Sequence, residues 1–78
     1  MDLRIWKRAS ELEPGNARYA FTLGYFQARA GDLGAAAVTL EALIRVHPDY
    51  RDAYGLLAEV YRRQGRADEA QALLRRGP

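Results

Sequence analysis

Residues 20–48, AFTLGYFQARAGDLGAAAVTLEALIRVHP, hold two apolar runs of helical spacing that meet at Gly31-Asp32 and stop at Pro48. The first run reads as a helix from Ala17 to Ala30, with Asn16 placed to cap its start and Gly31 following its end, where a left-handed residue costs a glycine least. Asp32 then opens a second run through Leu33, Ala36, Ala37, Leu40, Leu43 and Ile44, whose three-to-four-residue spacing predicts a helix to Arg45 or Val46. His47 is pushed out of helical geometry because a proline follows it. A linker this short forces the two helices to pack antiparallel.

Working outward, the same marks recur at an offset of 34: Pro14 with Pro48, Leu23 with Leu57, Gly31 with Gly65, Ala36 with Ala70, Leu40 with Leu74. Identity between the two registers is otherwise sparse, so placement carries the argument. The matches fall on the proline between units, the glycine between paired helices, and the residues where those helices cross. A period of this length marks a stacked helical repeat. Upstream, Leu3, Trp6, Ala9 or Ser10, and Leu12 predict an amphipathic helix from about Asp2 to Glu13 that ends at Pro14-Gly15. Downstream, Asp49 is the expected cap of a fourth helix, with Asp52 imitating a capping box. That helix covers about Arg51 to Gln64, with Tyr54, Leu57, Ala58 and Tyr61 on one face. A fifth begins near Ala67, has Ala70, Leu73 and Leu74 as its apolar stripe, and carries Asp68 and Glu69 early and Arg75 and Arg76 late, the order a helix dipole favours. No segment alternates as a strand does, so the chain is read as all-α.

Composition bounds the function. At 78 residues there is one domain at most, and a chain of this size buries only about 60% of the surface its unfolded form exposes. With no cysteine and a single histidine, His47, neither a disulfide nor a multi-imidazole metal site is expected, and no cofactor is. Twelve basic and ten acidic residues are interleaved, so nucleic acid is not expected as a partner. No apolar run of membrane-spanning length and no secretory pattern occurs. The segment is therefore read as soluble, with the compartment open and the cytoplasm favoured.

Ala20-x2-Leu23-Gly24, Gly31-Asp32-x3-Ala36-x3-Leu40 and Pro48, followed by Tyr54-x2-Leu57-Ala58-x2-Tyr61, Gly65, Ala70 and Leu74, resemble the tetratricopeptide repeat. Ala20 stands where that family usually has a bulky aromatic, Gln27 where a tyrosine is common, and Leu43 where alanine is usual. The resemblance implies five helices stacked as antiparallel hairpins in a right-handed superhelix, an α-solenoid. Residues 1–14 would be the second helix of a partial repeat, 15–48 a full repeat, and 49–78 a nearly complete one. Gly24 and Ala58 would permit close approach of paired helices with Ala36 and Ala70 facing them, while Trp6, Leu40 and Leu74 fill the space between.

In that family the first helix of each unit lines a concave surface that binds an extended peptide or a partner helix. Carried onto this chain, the surface comprises Arg18, Phe21, Tyr25, Ala28 and Arg29, then Asp52, Gly55, Glu59, Arg62 and Arg63. Phe21 and Tyr25 would form one aromatic patch; alternatively Phe21 packs over Gly55 and completes the core. Arg29, Arg62, Arg63 and Arg66 offer bidentate donors to a carboxylate, or are merely solvated. The lysine and asparagines with which some members clamp a terminal carboxylate are absent from the Phe21, Thr22 and Tyr25 stretch. Recognition in that manner is not expected.

No catalytic constellation is visible, and the chain is not read as an enzyme. Ser10 lacks an accompanying histidine, Glu11, Glu41 and Glu59 lie on different helices, and His47 is read as a solvated turn residue. Gly31-Asp32-Leu33-Gly34 follows a helix and not a strand, which excludes a phosphate loop. The expected role is an adaptor or scaffold for a protein or peptide partner, the alternative being a structural, self-associating segment. Leu3 and Trp6, on a first helix without its partner, are the candidates for homo-oligomer contacts.

Overall fold

A computed structural model of the chain describes residues 16–76. The first predicted helix, and with it Leu3 and Trp6, lies outside the described residues. Four helices follow in order: α1 (Ala17–Arg29), α2 (Leu33–Val46), α3 (Arg51–Arg63) and α4 (Ala67–Arg76). No strand occurs among the described residues.

The predicted punctuation operates through hydrogen bonds. Asn16 Oδ1 accepts from the Tyr19 N–H at 3.3 Å, and Asp32 Oδ1 accepts from the Ala35 N–H at 3.4 Å, so each side chain satisfies a donor that the first helical turn leaves free. Both glycines that end the first helix of a hairpin have positive φ, +84° at Gly31 and +79° at Gly65. At the first, Asp32 N–H donates to the Gln27 carbonyl and Gly31 N–H to the Ala28 carbonyl. One period later Arg66 N–H donates to Tyr61 and Gly65 N–H to Arg62. These are paired Schellman turns, and each needs a left-handed residue at the reversal.

The start of α3 differs from expectation. Asp49 is not its cap: the turn after Pro48 is closed by Tyr50 N–H donating to the His47 carbonyl at 3.1 Å, so the capping position falls on Tyr50, while the helix starts at Arg51 as expected. Tyr50 makes no side-chain capping bond, and Asp52 instead contributes its charge inside the first turn. His47 is half-buried and not simply solvated, with an Nε2 that is enclosed and has no hydrogen-bond partner.

The core lies where the hairpins meet. Ala36, Leu40, Ala53, Leu57, Ala58 and Ala70 have no exposed surface, and Leu43, Val60 and Leu73 have almost none. The nearest neighbour of Gly24 is Leu40: a Cβ built there would stand 2.8 Å from Leu40 Cγ and Cδ2. The close approach of α1 and α2 thus accommodates Leu40. Gln27, in the place of a tyrosine, is buried, and its Oε1 accepts from the Thr39 hydroxyl at 2.7 Å, which satisfies a polar group inside the α1/α2 pair. Leu74 departs from its period mate. Leu40 is fully enclosed because α3 packs over α2, whereas Leu74 remains 45% exposed on α4, which no further described helix covers.

Candidate functional site

Helices α1 and α3 run side by side and touch sparsely compared with the hairpin pairs. Two ties join them. Near their starts the Phe21 and Tyr50 rings meet with centroids 5.6 Å apart. At their ends Arg63 Nη1 donates to the Ala28 carbonyl at 3.1 Å. Start meets start and end meets end, so the two helices are parallel, as a hairpin repeat requires.

Most residues expected on this surface are exposed: Arg18, Tyr25 and Arg29 on α1, and Asp52, Gly55, Glu59, Arg62 and Arg63 on α3. Ala28 is a correction. It is buried in the core cluster, because it sits where α1 crosses toward the second hairpin and its carbonyl is the acceptor for Arg63. Phe21 is half-buried, packing against the core and Tyr50 and not over Gly55, where an added Cβ would meet nothing within 4 Å. Tyr25 forms an edge contact with Phe26 at 5.9 Å. The aromatic surface therefore comprises two pairs, Phe21 with Tyr50 and Tyr25 with Phe26.

Sequence reasoning missed Tyr50 and Phe26. A bulky aromatic in the slot where a small polar cap is usual was the available signal for Tyr50. For Phe26 there was little: its period mate Val60 is 1% exposed while Phe26 is 49% exposed, so the same helical position has opposite fates in the two hairpins.

The four arginines singled out by sequence are held in different ways. Arg62 pairs with Glu59 at 3.3 Å on the surface. Arg66 stacks on the Tyr61 ring at 4.2 Å and forks onto both carboxylate oxygens of Glu69. That fork holds the Glu69 carboxyl below the usual range. Arg66 is thus committed inside the second hairpin. Arg29 donates to the Tyr25 hydroxyl at 3.2 Å with its guanidinium 5.8 Å from the ring centroid, and Arg63 reaches the Ala28 carbonyl.

A concavity of about 380 Å³ lies between α2 and α4, lined by Glu41, Ile44, Arg45, Tyr61, Leu73 and Arg76. The Tyr61 hydroxyl there donates to Glu41 Oε2 at 2.7 Å. Burial, then the bond to Glu41, pushes the Tyr61 phenol up to about 12. The folded chain holds this proton more tightly than the unfolded one, so the associated stability is complete below the ordinary tyrosine value of roughly 10 and is lost as pH rises through about 12. In an ultraviolet alkaline titration, the phenolate signal lost in Tyr61→Phe is expected to be the one that rises near pH 12 in the native chain. If the signal removed by that substitution rises near 10 while the fold is intact, the Tyr61 hydroxyl is neither buried nor bonded to Glu41 as described.

Among the described residues no helix is long and apolar enough to cross a membrane. A comparison with curated proteins found no match. A family model described as tetratricopeptide repeat matches residues 27–78, from the last turn of α1 onward. The repeated Schellman turns and the period linking Gly31 to Gly65 are thus shared features of one architecture, and the chain belongs to the tetratricopeptide repeat family.

Proposed function

We propose that α1 and α3 line the concave face of a right-handed superhelix of hairpins and that this face binds an extended peptide or a helix of another protein. Tetratricopeptide repeats generally mediate protein–protein interaction and are typically non-catalytic, so this chain acts by holding a partner and not by transforming one. The observation that carries the reading is the opening at Gly55. Of the glycines in the hairpins, Gly24 is required by Leu40, and Gly31 and Gly65 by their positive φ; Gly34 also has open space but stands in the first turn of α2, whereas Gly55 stands inside α3 on the face proposed to bind, with open space where its side chain would be. An interior glycine costs a helix about 0.5–1 kcal/mol relative to alanine. No packing need among the described residues offsets that cost, and a partner approaching closely between the Phe21 and Tyr25 side of α1 and the Glu59 side of α3 supplies a reason for it.

Tyr25, 41% exposed on α1, is the principal anchor. Tyrosines in such places contribute disproportionately to interface energy, with losses of about 1–2 kcal/mol on truncation. Affinity capture with the wild-type chain, followed by titration of the captured protein, is expected to show about tenfold weaker binding for Tyr25→Ala. Val38→Ala, which alters an exposed residue of α2, is expected to bind as wild type does. Equal affinity of the captured protein for the wild type and Tyr25→Ala would place the contact elsewhere.

A further inference from the structure

The arginines on the α1 and α3 surface separate into two chemical classes. Arg62 has Glu59 as its partner, so its charge is locally compensated. Arg29 and Arg63 are held by neutral acceptors, a tyrosine hydroxyl and a peptide carbonyl. Each uses one of the five donors of a guanidinium in that bond and keeps the rest, with its full charge. Other arginines among the described residues, Arg18 and Arg51 for example, are also without an anionic partner, but no hydrogen bond or ring contact holds their guanidinium groups. Restraint matters because an arginine loses much rotamer freedom when it is ordered by a ligand. At positions 29 and 63 part of that ordering has already occurred.

The Arg63 guanidinium also reaches the backbone that carries Arg29. The two residues are period mates on parallel helices, and that guanidinium lies against the carbonyl of the peptide bond that joins Ala28 to Arg29. We infer that Arg29 and Arg63 together receive an acidic side chain, Asp or Glu, of the peptide bound along α1 and α3; the inference rests on the binding face proposed above. The C-terminal dipoles of α1 and α3 both oppose an anion at this end, but together they amount to about one elementary charge against two full positive ones. The arginines win.

The same geometry sets a spacing. Gly55 and Arg63 are eight positions apart on α3, about 12 Å along the axis at the usual rise. An extended peptide covers that distance in roughly three to four residues. A ligand whose bulky apolar side chain enters the Gly55 opening therefore carries its carboxylate about three to four positions away, toward the helix ends.

The test uses a random peptide library displayed on phage and selected against the whole chain. Selected peptides are expected to share a bulky apolar residue and an Asp or Glu at that separation. One such peptide, and its twin with the acid replaced by the amide, would then be titrated against wild type, Arg29→Gln and Arg63→Gln. Glutamine at position 63 retains a donor for the Ala28 carbonyl, and unchanged thermal unfolding by circular dichroism verifies that the helices keep their arrangement. Each substitution is expected to weaken the acidic peptide about fivefold and leave the amide twin unaffected, as befits an exposed charge pair. Added salt is expected to erase the preference for the acid. Selected peptides without acidic enrichment, or an undiminished acid preference in both variants, would overturn the arginine pair. If those peptides still lose affinity on Tyr25→Ala, the binding face stands without it. Peptides indifferent to Tyr25→Ala would remove the binding face and the arginine receptor together.

Discussion

Leu40→Ala is expected to lower the unfolding free energy by about 3 kcal/mol, whereas Leu74→Ala, one period later, is expected to lower it by less than about 1 kcal/mol. The two leucines occupy the same place in the repeat, and a reading of sequence alone assigns them the same role. Leu40 has no exposed surface, fills the crossing above Gly24 and lies under α3, so its truncation removes buried methyl groups and leaves a cavity that rigid helices cannot close. Leu74 is 45% exposed on the outer side of α4, where water already occupies the space a cavity would form. In a domain this small a loss of about 3 kcal/mol is a large share of the total, so Leu40→Ala should be partly unfolded near room temperature. Urea unfolding followed by circular dichroism measures both. Similar losses for the two variants would mean that α3 does not seal the first hairpin as described.

The second large effect is a difference of sign between two glycines. Gly24→Ala places a methyl group 2.8 Å from Leu40 Cγ and Cδ2, and a fully buried leucine has nowhere to turn. Overpacking of this kind costs about 1–3 kcal/mol, which exceeds the gain in helix propensity of about 0.5–1 kcal/mol, so the variant is expected to be destabilised. Gly55→Ala meets nothing within 4 Å and is expected to be stabilised by about 0.5–1 kcal/mol. If the opening at Gly55 admits a partner side chain, that same variant should bind its partner more weakly while melting at a higher temperature. Opposed movement of stability and affinity distinguishes a functional glycine from an incidental one. A Gly55→Ala chain that gains stability and keeps its affinity would leave the opening without a role.

Punctuation was the most legible layer. Asn16, Gly31, Asp32 and Gly65 act within one turn of their own positions, through a side-chain oxygen or a permitted φ, and they perform as read. Asp49 failed at the same scale, because the turn after Pro48 is closed by the Tyr50 N–H and moves the capping position by a single residue, leaving the helix start at Arg51. The proposed binding surface was legible as a stripe but not in its depth. Ala28 shares the helical spacing of Arg18, Phe21 and Tyr25, yet α3 and the Arg63 guanidinium close over it. Tyr50 was invisible as a surface residue, since its contact with Phe21 joins residues far apart in the chain.

Helix type, hairpin reversals and the repeating unit follow from local energetics: dihedral preference, capping donors and apolar spacing are properties of a few adjacent residues, so the order of amino acids suffices to specify them. Which side of each helix is covered, and how each arginine is held, depends on what lies opposite. Leu40 and Leu74, Val60 and Phe26, and Arg63 and Arg29 are period mates, equal in their own helices and unequal in their surroundings. Burial and charge compensation are relations between distant segments, and they exist only once the hairpins have packed.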